Sequence, residues 1–210
     1  MSQLFKLNII HSEDNIAGTL FNKLFPNIFN IGYNKPSEYI KSCWDTYLRH
    51  PGSNNNQNGK IFEYLLATLL IRENILPIYL SAKVAFVPNV IYDLMFYSNE
   101  YGPICFSAKT SLRERYKQAD LEAIALKYVH RKALNYLITL DTQAAKNAKL
   151  KIKEGDIIGL NDVVVATSTE FDNLIDRLTK IEFSIPPTVE VITSKFIVTK
   201  ENVQSLKRST

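Results

Sequence analysis

Extended segments dominate the middle of the chain, and their order restricts the folds that the sequence can adopt. Three of them follow one another, each rich in β-branched and aromatic residues, at 77–86, 90–97 and 102–109. Strands that succeed each other without an intervening helix favour an antiparallel meander. Further along, helical and extended patterns alternate, with helices at 117–130, 142–150 and 170–180 and strands at 134–140 and 163–166. This alternation predicts an α/β fold in which helices flank a mixed central sheet on both faces.

The length of 210 residues fits one domain with a substantial core. Residues 1–50 are predicted to form an N-terminal helical layer, 60–180 the core, and 181–210 a C-terminal extension. The last residues, 205–210, are polar, and we expect them to be disordered. No internal repeat divides the chain.

Two features of the first third bear on the core. The polar stretch 52–59 buries little apolar area, which predicts a mobile loop. From Lys60 onward, two adjacent apolar residues recur at each turn and predict a helix buried along one broad face. Glu63 lies inside that apolar run.

Composition excludes several classes of protein. Apolar residues make up 46% and charged residues 22%, as in ordinary folded domains. The longest uncharged apolar run, 64–71, is far shorter than the roughly 20 residues that cross a bilayer. The N-terminus shows no secretory leader, so we expect a cytoplasmic protein without a membrane segment. Cys43 and Cys105 match no metal spacing and predict buried thiols, and the net charge of +4 only slightly favours a nucleic-acid partner.

Asp93 is a charged residue inside an otherwise apolar strand, between residues 90–92 and 94–96. Burying a carboxylate without a partner costs free energy, and a metal ion or a neighbouring lysine compensates for that cost. The alternative is a strand-edge aspartate that faces water. We expect a partnered carboxylate.

Ser107 and Lys109 lie at the end of the third extended segment. Side chains alternate along a strand, so these two share one face. If the second and third segments pair, Asp93 and Lys109 meet across the hairpin. The pairing would place an acid beside a base in a pocket of low dielectric constant.

Two glutamates on predicted helices could add carboxylates to this pocket. Glu122 lies thirteen residues after the lysine, about one turn into its helix, and shares a helix face with Gln118. Glu63 is the second candidate. The alternatives are a surface glutamate paired with a nearby cation for Glu122 and a solvent-facing residue for Glu63.

Arg113, Glu114 and Arg115, hereafter the Arg-Glu-Arg segment, stand between the lysine and the next helix. Arginine donates two hydrogen bonds to the edge of guanine, and glutamate accepts one from cytosine. The alternative is a surface cluster of ion pairs. The predicted DNA-binding residues are Arg113, Glu114, Arg115, Lys117 and Gln118.

Asp93, the Ser107-Ala108-Lys109 triplet and the delayed Glu122 resemble the PD-(D/E)xK nuclease superfamily. More narrowly, they are similar to a type II restriction branch in which the second acid has moved from the strand to the following helix. In that branch a small residue stands where the superfamily has Asp or Glu, as Ser107 does. The segment 109–116 is similar to that of enzymes which cut CCNGG, CCWGG or CCGG sites, whose Arg-Glu-Arg element recognises C and G bases.

The resemblance implies a restriction-endonuclease-like core and a sequence-specific endonuclease that hydrolyses double-stranded DNA with Mg²⁺, leaving 5′-phosphate ends. It implies Asp93, Glu122 and Glu63 as metal ligands, with Lys109 and Ser107 beside them in the catalytic site. A palindromic site with CC/GG pairs implies a homodimer. It also implies a cognate DNA methyltransferase as a partner in the same system.

Residue 92 is Tyr rather than the Pro of the motif, and the interval from Asp93 to Lys109 is shorter than in the CCNGG enzymes. Two other functions stay open from the sequence: a DNA-binding protein of this fold that does not cleave, and a non-specific or structure-selective repair nuclease. Trp44 and Tyr47 are expected to be core residues rather than platforms for a base.

Overall fold

Strands and helices make up most of residues 1–186, 192–194 and 196–208, which this computed structural model describes. The strands are β1 (Ile78–Val84), β2 (Tyr92–Ser98), β3 (Gly102–Lys109), β4 (Leu134–Thr139), β5 (Asp162–Val165), β6 (Ile192–Thr193) and β7 (Phe196–Val198). The helices are α1 (Gln3–Lys6), α2 (Ile16–Leu24), α3 (Pro36–Arg49), α4 (Asn55–Arg72), α5 (Arg115–Val129), α6 (Thr142–Glu154), α7 (Thr169–Thr179) and α8 (Lys200–Arg208), and a 3₁₀ helix spans Ile28–Asn30. Every element predicted between residues 77 and 180 is present, with ends shifted by a few residues.

The sheet is mixed, as predicted. β1, β2 and β3 form the expected antiparallel meander. β4 pairs in parallel with β3, and β5 in parallel with β4. β6 and β7 both pair antiparallel with β1, one after the other along its outer edge. The strand order is therefore β5-β4-β3-β2-β1, with β6 and β7 outside β1.

Helices cover both faces of the sheet, which confirms the predicted α/β class. On one face α4 contacts β2 and β3, and the N-terminal helices, α7 and α8 complete the larger apolar core. On the other face lie α5 and α6. These two helices connect β3 to β4 and β4 to β5, because parallel strands need a long crossover rather than a tight turn.

Helix α4 begins earlier than the sequence predicted. The stretch 52–59, predicted to be a mobile loop, contains the first turn of α4. The side chain of Asn54 accepts hydrogen bonds from the main-chain N–H groups of Asn56 and Gln57, at 3.1 and 3.2 Å. Asparagine is a favoured N-cap. The loop prediction is wrong from Asn55 onward, because the polar composition favours a loop whereas the Asn54 cap starts a helix there.

Helix α4 is also enclosed more completely than a single broad face. Every residue from Tyr64 to Ile71 is buried, since α2 and α3 pack on the helix from outside while β2 and β3 lie beneath it. The helix is therefore a central rod of the larger core, held in place against the sheet. Its first turns carry Lys60 and Glu63 toward the end of β2.

The prediction of a disordered tail at 205–210 is wrong for residues 205–208, which belong to α8. The sequence there is polar, but Val203 and Leu206 lie one turn apart and are buried in the larger core. One apolar stripe is enough to dock a short helix on an existing core. Residues 209 and 210 lie outside the described residues.

Two further predictions concern single residues. Cys43 and Cys105 are free and buried, as expected. Tyr47 is buried in the larger core, whereas Trp44 is only half-buried.

Among the helices of the described residues, none combines the length and apolar character needed to span a bilayer.

A close contact between Asp120 and Gly159 holds helix α5 against the segment that precedes β5. The Asp120 carboxylate accepts hydrogen bonds from the N–H groups of Gly159 at 2.6 Å and Leu160 at 3.2 Å. A side chain at Gly159 would overlap the main-chain oxygen of Asp120 and lie 2.7 Å from the main-chain nitrogen of Ile124. Glycine is therefore required where the chain passes this helix.

We expect Gly159→Ala to lower the free energy of unfolding by about 1–3 kcal/mol, the usual cost of overpacking. The matched control is Gly59→Ala in α4, where a methyl group would meet nothing within 4 Å. That control should stabilise the helix by up to about 1 kcal/mol. Urea denaturation measures both, and a Gly159→Ala variant as stable as the wild type would contradict the contact.

Candidate active site

Strand pairing brings Asp93 and Lys109 together. β2 and β3 are antiparallel, and Asp93 lies one residue beyond the Leu94–Phe106 pair. The Asp93 Oδ2 atom accepts hydrogen bonds from Lys109 Nζ and from the main-chain N–H of Ala108, both at 2.8 Å. The two charged side chains are only 20% and 19% exposed. The predicted meeting of acid and base across the hairpin is present.

The backbone is irregular where Asp93 stands. The register pairs Leu80 with Leu94 and Ala82 with Tyr92, so Ser81 lies opposite Asp93. Ser81 has a φ of 49°, in the left-handed region that non-glycine residues seldom adopt. Strain of this kind persists where the surrounding structure imposes it, commonly at functional sites.

This irregularity reverses the alternation of side chains in both strands. Leu94 lies in the larger core beneath α4, but Tyr92 and Met95, three residues apart, both lie in the opposite core beneath α5. Regular alternation would place residues 92 and 95 on opposite faces. Asp93 occupies the point of reversal, where it is close to acids from both helical layers.

Glu63 approaches Asp93 from α4. Its side chain is 17% exposed and accepts a hydrogen bond from Lys60 Nζ at 2.6 Å. Burial raises the pKa of the Glu63 carboxyl, the charge of Asp93 raises this pKa further, and the Lys60 and Lys109 cations oppose the rise. The alternative of a solvent-facing glutamate is wrong, because Glu63 is largely buried beside the Asp93–Lys109 pair.

Glu122 approaches from α5 on the other face. The amide of Gln118 donates a hydrogen bond to its carboxylate at 2.8 Å, so the predicted shared helix face is present. Burial raises the pKa of Glu122, as does the charge of Asp93, while Gln118 and Lys109 lower it. Glu122 and Ser107 line the same small cavity of about 10 Å³. The small serine thus leaves space that the helix-borne acid borders.

Tyr92 connects the strand of Asp93 with the helix of Glu122. Its hydroxyl donates a hydrogen bond to the main-chain oxygen of Glu122 at 3.0 Å, and its ring is buried. The sequence showed this residue only as a departure from the proline of the motif. Its role depends on the reversed side-chain orientation at Asp93, which no periodicity in the sequence reveals.

The acids around Asp93 are candidate ligands for a divalent cation. Among the described residues, no three His, Cys, Asp or Glu side chains are grouped so as to hold a metal ion. Mg²⁺ does not need such a cage, because it binds one or two carboxylates and completes its shell with water and substrate phosphate oxygens. The carboxylates of Asp93 and Glu122 are hard oxygen donors of the kind that Mg²⁺ takes, and burial, together with the charge of Asp93, opposes the ionisation of Glu122. This donor set fits Mg²⁺.

A cavity of about 590 Å³ opens beside Lys109. Arg113 and Arg115 line it and are exposed, and neither guanidinium group has a hydrogen-bond or ion-pair partner in the described part of the chain. Glu114 points elsewhere, since it is 82% exposed and pairs with Lys117 at 3.0 Å. The surface ion-pair alternative therefore describes Glu114 and Lys117, while the two arginines keep their donors free.

The opposite wall of this cavity was missed from the sequence. It consists of Trp44 and Leu48 from α3 and Asn55 and Asn58 from the first turn of α4. The two asparagines lay in the stretch predicted to be a loop, and Trp44 was assigned to the core. The available signal was the asparagine N-cap, which places the first turn of α4 at a defined position.

No protein-family model and no curated protein matches the chain. Among solved structures, the chain is similar to a restriction endonuclease, PspGI, in a complex with substrate DNA, at 18% identity. The likeness covers 89% of this chain and 80% of that one, with a TM-score of 0.44. A likeness at this level carries no information about activity.

We expect Glu63→Gln to raise the free energy of unfolding at pH 7 in metal-free buffer. Because folding raises the pKa of Glu63, its ionised form costs stability above the folded pKa, and that cost is absent below the unfolded value of about 4.3. The gain in the variant should therefore disappear as the pH falls below that value. Denaturant titrations over this range measure it.

The control for this prediction is Glu154→Gln, at the exposed end of α6. It makes the same chemical change without removing a buried charge. A gain for Glu63→Gln that persists or grows in acid would contradict the direction of the shift.

Proposed function

We propose that this protein is a Mg²⁺-dependent, sequence-specific endonuclease of double-stranded DNA, a type II restriction enzyme with a PD-(D/E)xK site. One observation carries the proposal. The Asp93–Lys109 pair, 2.8 Å apart, lies between acids from two helical layers and beside a cavity lined by two unpaired arginines. Carboxylates for a metal, a lysine for the phosphate and donors for base edges are what site-specific DNA hydrolysis requires.

Each residue has a role that follows from its position. Asp93 and Glu122 would hold Mg²⁺, and Glu63 would contribute to the metal or to an ordered water. When bound there, Mg²⁺ would supply Lewis-acid chemistry that activates water and polarises the scissile phosphate. Lys109 orients the attacking water and stabilises the charge that develops on the phosphate oxygens. Ser107, beside Glu122, leaves space for that carboxylate.

Recognition falls to the Arg-Glu-Arg segment, with Lys117 and Gln118 as further contacts. Arg113 and Arg115 present free guanidinium groups beside the catalytic lysine, so G·C pairs next to the cleaved bond are the natural targets. Glu114 is exposed and held only by Lys117, and a surface ion pair of this kind contributes little. Glu114 can therefore leave Lys117 and accept a hydrogen bond from a cytosine amino group at little cost in free energy.

Other parts of the proposal rest on this activity. Cutting both strands of a palindromic CC/GG site needs a homodimer, and each cut leaves a 5′-phosphate. A cytoplasmic location and a cognate methyltransferase that protects the same site belong to such a system. A binding protein without cleavage and a non-specific repair nuclease are the competing functions that experiments must separate.

Asp93→Asn separates cleavage from binding. We expect plasmid cleavage in Mg²⁺ to fall by about a thousandfold or more, because several kcal/mol of charge stabilisation depend on the metal site. Binding to a short duplex in chelator should be retained. Asp176→Asn, on the exposed side of α7, is the control and should cleave like the wild type. A wild type that binds DNA but never cleaves it would instead support a DNA-binding protein without cleavage activity.

Arg115→Lys tests base recognition while keeping the charge. Lysine lacks the planar fork that binds guanine with two hydrogen bonds, so discrimination against a wrong base pair should fall by about 1–3 kcal/mol. Competition binding with single-base-pair changes in the duplex measures this loss. Arg131→Lys, in the exposed turn after α5, should leave discrimination intact. If the variant instead bound every duplex more weakly by the same factor, this result would favour a non-specific nuclease.

Tyr92→Phe tests the connection between the two acid-bearing elements. Removing the hydroxyl that holds the Glu122 main chain should raise the Mg²⁺ concentration needed for half-maximal cleavage by about tenfold, the lower range for residues that support metal ligands. DNA binding in chelator should not change. Tyr79→Phe is a matched control, because Tyr79 is buried on the neighbouring strand and its hydroxyl has no hydrogen-bond partner among the described residues. An identical Mg²⁺ dependence in both variants would rule out this role.

A further inference from the structure

The loop between β1 and β2, residues 85–91, lies at the same end of the sheet as Asp93. β1 runs toward this end, β2 starts from it and β3 finishes at it, because the three strands are antiparallel. The last pair of the β1–β2 hairpin is Ala82 with Tyr92, immediately before Asp93. The loop therefore lies next to the position that a phosphate would occupy at Asp93 and Lys109.

The loop exposes apolar side chains to solvent, although the valines that hold it in place are buried. Val84, Val87 and Val90 are buried in the core beneath α5, and the N–H of Val87 donates to the oxygen of Val84 at 3.1 Å. Phe86 is 84% exposed and Ile91 is 55% exposed. Phe86 has a φ of 64°, a left-handed conformation that a phenylalanine seldom adopts. The buried valines hold this strained loop and turn Phe86 outward.

The chemistry of the loop suits the minor groove of DNA. Phe, Ile and Pro are among the apolar residues that proteins insert there, and this loop carries Phe86, Pro88 and Ile91. Lys83 is exposed at its base, and no acidic residue occurs between Lys83 and Tyr92. A concave surface of about 720 Å³ follows these residues. The exposed apolar side chains and the absence of acidic residues both match an anionic partner with an apolar groove.

The position of the loop decides which groove it meets. A phosphate backbone separates the major groove from the minor groove. The Arg-Glu-Arg segment follows β3 and lines the same cavity as Leu140, which follows β4, so it lies on the β4 side of the Asp93–Lys109 pair. The loop joins β1 to β2 and lies on the other side. If the arginines contact the major groove, then an element on the other side of the same phosphate faces the minor groove.

We propose that residues 85–91 form a second DNA-contacting element, which packs Phe86 and Ile91 into the minor groove of the duplex that is cleaved. The inference rests on the proposed function, because it takes the DNA to lie across Asp93 and Lys109. It adds a contact that the Arg-Glu-Arg segment does not make. The contact requires no charge and so depends little on salt.

The test uses Phe86→Asn and Ile91→Ala, with Ile185→Ala as a matched control. Asparagine tolerates the left-handed conformation at position 86. Ile185 is 65% exposed, next to Ser184, whose N–H donates to the oxygen of Tyr97 at 2.9 Å near the far end of β2. Melting temperatures establish that all variants are folded. Binding is measured by fluorescence anisotropy with a short duplex containing CCAGG and CCGG, with Ca²⁺ in place of Mg²⁺.

We expect Phe86→Asn to bind about tenfold more weakly, a loss at the lower end of what one base–aromatic contact contributes. The slope of log affinity against log salt should not change, because no phosphate contact is lost. In dimethyl sulfate footprinting, adenine N3 in the minor groove should lose protection, while guanine N7 in the major groove stays protected. Ile91→Ala should show the same pattern more weakly, and Ile185→Ala should match the wild type.

Two results would overturn the inference while leaving the proposed function intact. Phe86→Asn could bind and protect DNA like the wild type, or it could change the oligomeric state without changing adenine protection, which would make this surface a contact between copies of the chain. If the wild type itself binds no duplex, then the proposed function fails, and the inference fails with it.

Discussion

The ion pair between Asp93 and Lys109 is the contact on which the rest of the site depends. Asp93 also accepts a hydrogen bond from the main chain of Ala108, so one carboxylate fixes the end of β3 and the position of the lysine. Burial raises the pKa values of both Glu63 and Glu122, and the charge of Asp93 raises them further. The helical layers on the two faces of the sheet each direct one acid toward this point, and the reversed alternation at Ser81 and Asp93 allows both to approach.

Such a site is costly for a folded chain. Glu63 and Glu122 each lie near Asp93 with limited exposure, and burial disfavours the ionised forms of the two glutamates. Lys60, Lys109 and Gln118 offset part of this cost, and the contacts of Asp120 and Tyr92 keep α5 in place despite it. Groups whose pKa values are shifted by burial and by a specific charge are common at functional sites. These acids lower the stability of the protein. The proposed cation would bind among them and offset that loss.

The sequence predicted what depends on local pattern. The meander, the crossover helices, the Asp93–Lys109 contact and the Gln118–Glu122 face all follow from periodicities of two or 3.6 residues. It did not predict what depends on a single conformation or on distant packing. The left-handed conformation of Ser81 breaks the two-residue alternation of side chains along the strand. The start of α4 depends on one cap, and α8 packs on a core that other parts of the chain form. The cavity wall with Trp44 and Asn58 belongs to the same group, since it exists only after α3, α4 and β3 have packed.

The most direct test of this account is to incubate the purified protein with a sequenced plasmid, in Mg²⁺ and in chelator, and to sequence the ends of the products. The account predicts discrete fragments in Mg²⁺ only, all of which end with a 5′-phosphate at one short palindromic motif containing CC/GG pairs. Fragments with heterogeneous ends would contradict sequence specificity. Cleavage that continues in chelator, or intact DNA under both conditions, would contradict the metal-dependent site at Asp93.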